Sequence, residues 1–144
     1  MKTAILLAAA LIFPGCAPSP ADPGAAETSL ESATLRLGEA ARLRGVRVRV
    51  LRVVEDSRCP ASVQCVQAGT VRLAARLSDE RGTREVMLSL GVAEPLAGRR
   101  SLRLLAACPY PRAPGAIASA DYSFLIATGA DGAERPALYA CPSA

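Results

Sequence analysis

The sequence predicts an all-β protein: a small antiparallel β-sandwich of about six to eight strands, with a small barrel as the alternative. Three observations carry this. Val46, Val48 and Val50 alternate with Arg47 and Arg49, the two-residue period of a half-buried strand. Short apolar runs recur between clusters of Gly, Pro, Ser and Asp. Beyond the N-terminal segment, apolar residues do not recur at convincing helical spacing.

Taken in order, Leu35 to Leu37 reads as an edge strand, and the Ala-rich stretch around Glu39 to Leu43 as one helical turn. The valine run continues through Leu51, Val53 and Val54 after a change of phase, which predicts a bulge or full burial. Val71, Leu73, Ala75 and Leu77 form the next apolar face. Turn residues Ser78 to Gly82 follow, and Val86, Leu88 and Leu90 resume the face, giving a β-hairpin. Leu102, Leu104 and Ala106 point one way around Arg103. Tyr122, Phe124 and Ile126 make a last alternating run before Thr128-Gly129, and Leu138 to Cys141 reads as a possible edge strand.

The chain of 144 residues has room for one core. Before the β domain, read as residues 34–144, lie two segments of different composition. Lys2 precedes ten apolar residues from Ala4 to Phe13, half the length a membrane-spanning helix requires, so residues 1–15 read as a signal peptide. Phe13-Pro14-Gly15-Cys16 resembles the lipobox of bacterial lipoproteins, which implies acylation of Cys16. With Cys16 acylated, Ala17 rather than Asp after it resembles the sorting pattern that sends lipoproteins to the outer membrane, facing the periplasm. Cleavage after Ser19-Pro20-Ala21 is the alternative and gives a soluble periplasmic protein. Residues 16–33, rich in Ala, Pro, Ser and Gly, read as a flexible tether.

Setting Cys16 aside leaves Cys59, Cys65, Cys108 and Cys141, an even number suited to two disulfides in an oxidising compartment. Of the three pairings, Cys59–Cys65 and Cys108–Cys141 is favoured, because the first closes a short proline-containing loop and the second pins a tail. The spacings contain no Cys-x-x-Cys knuckle for zinc, and Glu55 and Asp56 lack further oxygen ligands for a hard cation, so neither metal nor cofactor is expected. Histidine is absent and Lys2 is the lone lysine, which removes the commonest general base and points to a non-enzymatic protein.

The segment Glu55-Asp56-Ser57-Arg58-Cys59-Pro60, closed by Cys65 and followed by Ala68-Gly69, resembles a family of bacterial envelope proteins that carry Asp-Ser-Arg-Cys-Pro, four residues, then Cys and Ala-Gly. The resemblance extends over residues 34–129, through Leu35 to Glu39 and Pro109-Tyr110-Pro111, and implies export and a β domain. Gln67 stands where the family has tryptophan, and Cys108 with the tail to Cys141 is an addition.

Asp56, Arg58 and the closed loop are the densest cluster of unusual chemistry. An Asp and an Arg two apart at a strand end can satisfy each other and nearby backbone groups. A rigid loop can also serve recognition, with Gln67 beside it, and a protease-inhibitor-like loop across 59–65 is the alternative function. Loss of Lys2 with the signal lowers the formal charge from +4 to +3, yet six arginines fall between Arg36 and Arg52. Among them Arg47 and Arg49 are candidate contacts for an anionic glycan, a lipid headgroup or an envelope protein, or simply a solvated face. Nucleic acid is not expected of an exported chain this poor in aromatic residues.

Overall fold

The computed structural model describes residues 30–130 and Cys141. Eight strands form two antiparallel four-stranded sheets: β1 (Glu31–Leu35), β2 (Ala40–Leu43), β3 (Val46–Asp56), β4 (Val71–Asp79), β5 (Gly82–Ser89), β6 (Ala93–Pro95), β7 (Arg100–Cys108) and β8 (Ser123–Ala130). One sheet has the order β1-β8-β7-β6 and the other β2-β3-β4-β5. The expected sandwich is the fold. Its core is largely aliphatic, with Val46, Val48 and Val50 of β3 and Leu73, Ala75 and Leu77 of β4 facing Leu102 and Leu104 of β7 and Phe124 and Ile126 of β8. One inward row from each sheet removes both apolar faces from water, which is the driving force for stacking the sheets.

The phase change in β3 is a pair of register irregularities, between Val50 and Arg52 and between Val53 and Glu55. The hairpin of β4 and β5 turns between Asp79 and Gly82, with the Asp79 carboxylate accepting a 2.9 Å hydrogen bond from the Arg81 backbone N–H.

Four elements differ from the sequence reading, the first being the three-residue strand β6, which no apolar alternation announces. The stretch expected to make a helical turn is strand β2, paired through Ala40 to Arg49 and Leu43 to Val46. A two-residue turn of Arg44 and Gly45, with φ of 44° and 83°, folds it back on β3. Positive φ at both central residues gives the twist that a tight hairpin needs. The turn is held from the other sheet, where Glu31 Oε2 accepts from the Arg44 N–H at 2.7 Å and Arg100 Nη1 donates to the Arg44 carbonyl at 2.6 Å. Strand β1 begins at Glu31, inside the segment read as tether, because its backbone pairs with β8 from Glu31–Thr128 to Leu35–Phe124. In β7 an irregularity after Leu104 shifts the parity, so Ala107 and not Ala106 joins the core. The strand expected at Leu138 to Cys141 lies outside the described residues except for Cys141, which is in no strand.

Candidate functional site

The site lies where β3 leaves the sandwich. β3 ends at Asp56, and β4 begins at Val71 directly opposite. Beyond that pair, Ser57 and Thr70 continue the ladder: the Ser57 N–H donates to the Thr70 carbonyl at 2.9 Å, and the Thr70 N–H donates to Ser57 Oγ at 3.1 Å. This closure brings Gly69 against Ser57. A Cβ at Gly69 would lie 1.5 Å from the Ser57 carbonyl oxygen, so the glycine of the Ala-Gly pair is required by close backbone approach.

Arg58 turns inward from this junction and is buried, only 7% exposed. Its Nε donates to Asp56 Oδ1 at 2.8 Å and its Nη2 to Asp56 Oδ2 at 2.7 Å, a bidentate pair. Two more of its N–H groups reach the end of β7, Nη1 donating to the Ala107 carbonyl and Nη2 to the Pro109 carbonyl at 3.0 Å. The Tyr110 ring covers the guanidinium, 5.5 Å from Cζ to centroid. Asp56 also accepts from the Tyr122 hydroxyl at 2.7 Å. Tyr122 in turn stacks on Phe124, with ring centroids 5.5 Å apart, which ties the polar cluster to the core.

Burial alone would raise the Asp56 carboxyl, but hydrogen bonds from Arg58 and Tyr122 and the charge of Arg58 outweigh it and hold the group below its ordinary value of 3.8. Burial, followed by the hydrogen bond to Asp56 and its negative charge, pushes the Tyr122 hydroxyl up to about 12. At neutral pH Asp56 is therefore an ionised acceptor and Tyr122 a donor. Neither is poised to exchange a proton near pH 7.

Cys59 is bonded to Cys65, and Cys108 to Cys141. Both bridges meet at this end, since Arg58 is the neighbour of one and donates to the carbonyls flanking the other. The closed loop is also stitched to the segment after β7: the N–H groups of Ala61 and Ser62 donate to the carbonyls of Pro111 and Arg112, each at 3.0 Å. Residues 61–68 remain exposed on the other side, Gln67 among them, with Val63 and the fully exposed Val66 presenting apolar surface. Beside the loop, Val54, Glu55, Pro60, Pro111, Ile117 and Tyr122 line part of an open groove of about 400 Å³.

Glu55 and Asp56, adjacent in sequence, diverge. Glu55 accepts from Ser57 Oγ at 3.0 Å and lies 3.6 Å from Arg72, while Asp56 points to Arg58. Among the described residues no cluster of three His, Cys, Asp or Glu could hold a metal.

Arg47 and Arg49 are not part of this cluster. They lie near the start of β3, exposed on the outer face of its sheet, and Cys16 falls outside the described residues. Sequence reasoning missed Tyr122, Tyr110 and the carbonyls of Ala107 and Pro109. The Pro109-Tyr110-Pro111 run was a visible signal, but its contact with Arg58 spans the gap between the sheets. Compared with known families, curated proteins and solved structures, the chain matches none.

Proposed function

We propose that this chain is an exported, lipid-anchored protein of the bacterial envelope, whose β domain is a non-enzymatic binding module presenting the Cys59–Cys65 loop to another envelope protein. One observation carries the reading. The reactive-looking groups, Asp56 and Arg58, are consumed in holding the loop, while the apolar side chains of Val63 and Val66 are left on its outer surface. A surface fixed by a disulfide, a buried ion pair and two backbone bonds loses little entropy on binding, so exposed valines on it suit recognition better than catalysis. The apolar part of the adjacent groove extends the same surface.

The anchor is tested by intact mass of the membrane fraction. A mature N-terminus at Cys16 with acyl mass agrees with the proposal, and an unmodified N-terminus at Asp22 overturns the anchored form. The contact surface is tested with a photo-crosslinking residue placed at Val66, and for comparison at Arg81 in the distant β4–β5 turn, in growing cells. A discrete protein adduct at position 66, lost on Val63→Asp, supports the module. Equal labelling at both positions argues for a purely structural protein. Full exposure of Val66 beside the bridge also favours the inhibitor-like alternative. Tight inhibition of a serine protease that accepts small aliphatic residues, abolished by Val66→Asp, would establish it.

A further inference from the structure

The outer face of β2, β3 and β4 carries a second, separate feature. Register places Arg42 of β2 opposite Arg47 of β3, and Arg49 of β3 opposite Arg76 of β4. All four are exposed. Directly opposed like charges on one face, ~5 Å apart at Cβ, destabilise a sheet. Arginines farther along the same sheet avoid that cost. Arg52 lies 3.0 Å from Glu85, and Arg72 lies 3.6 Å from Glu55. Arg42, Arg47, Arg49 and Arg76 make no ion pair with any acid among the described residues. Glu85, which register sets opposite Arg76, turns its carboxylate to Arg52 instead.

The four charges form a patch in two dimensions, across three strands and along β3, with spacings of ~5 Å across and ~7 Å along. Arg47, Arg49, Arg76 and Ser78 border a shallow depression of about 210 Å³. Guanidinium groups match phosphate oxygens in planar, bidentate geometry. No aromatic ring of the described residues lies among the four, so the patch offers no stacking platform for sugars or bases. An exposed array of positive charges complements an array of phosphates.

We propose that the Arg42–Arg47–Arg49–Arg76 face docks on an anionic phospholipid surface, its arginines holding headgroup phosphates. This goes beyond the loop reading and does not rest on it, because Arg49 and Asp56 are seven positions apart on β3, roughly 20 Å. Docked by this face, the domain would lie flat on the membrane with the loop end free at its side.

The test is co-sedimentation of the full chain carrying Cys16→Ser, so that no acyl group contributes, with phosphatidylglycerol vesicles. Phosphatidylcholine vesicles measure what the apolar N-terminus contributes by itself. Binding to the anionic vesicles should exceed that level and fall as salt rises. Arg47→Gln/Arg49→Gln/Arg76→Gln should weaken it on the order of a hundredfold. Arg81→Gln/Arg99→Gln/Arg112→Gln removes the same charge from exposed positions elsewhere and should change it only a few-fold. Equal loss in both triple variants would reduce the effect to net charge and overturn the proposal. So would anionic binding no greater than neutral binding, or retention on immobilised polygalacturonate without vesicle binding, which would assign the face to a carboxylated glycan.

Discussion

Arg49 and Arg58 are nine residues apart in sequence and meet opposite surroundings. Arg58 is buried, with Asp56, two backbone carbonyls and the Tyr110 ring around it. Arg49 is exposed and faces Arg76 across the ladder. The first end of the sandwich has its charges matched and its chain crosslinked. The other face holds like charges side by side. The same residue type is thus a structural brace in one place and an unneutralised surface in the other, and only the set of neighbours separates the two. A buried charge without a partner costs several kcal/mol, whereas an exposed one in water costs little, so the two regions should respond very differently to the same substitution.

The largest effect is expected from Arg58→Met. It leaves the Asp56 carboxylate largely buried with no countercharge, holding only the Tyr122 hydroxyl and the backbone N–H of residue 58 as donors, and should cost about 3 to 5 kcal/mol in urea unfolding. Adding Asp56→Asn should restore part of that loss, because the uncompensated charge is then gone. Arg49→Met should stay within about 0.5 kcal/mol of the parent. Similar losses for Arg58→Met and Arg49→Met would erase the contrast between the regions.

The two bridges sharpen the picture of the crosslinked end. In the chain-entropy treatment, the bridge with a sequence separation of 33 is worth roughly 4 kcal/mol and the one with a separation of 6 roughly 2 kcal/mol. Cys108→Ser/Cys141→Ser should therefore lower the unfolding midpoint more than Cys59→Ser/Cys65→Ser. The latter should act mainly on amide exchange between Asp56 and Gly69. Non-reducing peptide mapping that recovers a Cys59–Cys108 peptide would remove the basis of both expectations.

Titration gives a smaller, signed effect. Asp56 is held below its ordinary value of 3.8, so its contribution is present above that pH and is lost as pH falls through the lowered folded value. Tyr122 is raised from 10.0 to about 12, so its contribution is present below pH 10 and lost as pH rises through that interval. Asp79 is also lowered: burial opposes ionisation, but hydrogen bonds from Arg84 and the Arg81 backbone prevail. Thermal melts of Asp56→Asn should lose part of both the acid and the alkaline limbs, whereas Asp79→Asn should lose part of the acid limb alone. An unchanged alkaline limb in Asp56→Asn would contradict the Tyr122–Asp56 hydrogen bond as its cause.

A further small change has the opposite sign. Arg76→Thr removes one member of a like-charged pair and places a β-branched residue on the strand, and should stabilise the fold by about 0.2 to 1 kcal/mol at low salt. The gain should shrink as salt rises. Destabilisation would mean that the face is neutralised within the protein itself.

By itself, the sequence determined which residues face in and out along the first half of β3. Val46, Val48 and Val50 are buried and Arg47 and Arg49 exposed, as the two-residue period requires. The β4–β5 hairpin and the disulfide pairing were legible for the same reason, since turn chemistry and short loop closure are local properties of the chain. Only the tertiary structure decided who stands beside whom. Glu31 to Ala33 look like linker until the backbone of β8 offers them hydrogen bonds, and the stretch read as a helical turn becomes β2 because a twist-matched turn lays it on β3. The Asp-Ser-Arg spacing announces a possible ion pair. It cannot announce that the carbonyls of Ala107 and Pro109 and the hydroxyl of Tyr122 arrive from the other sheet to bury it. Nor does the spacing of Arg49 announce Arg76. Periodicity is fixed within a few residues of chain, but register and neighbours come from packing two sheets over one core, where residues far apart in sequence meet.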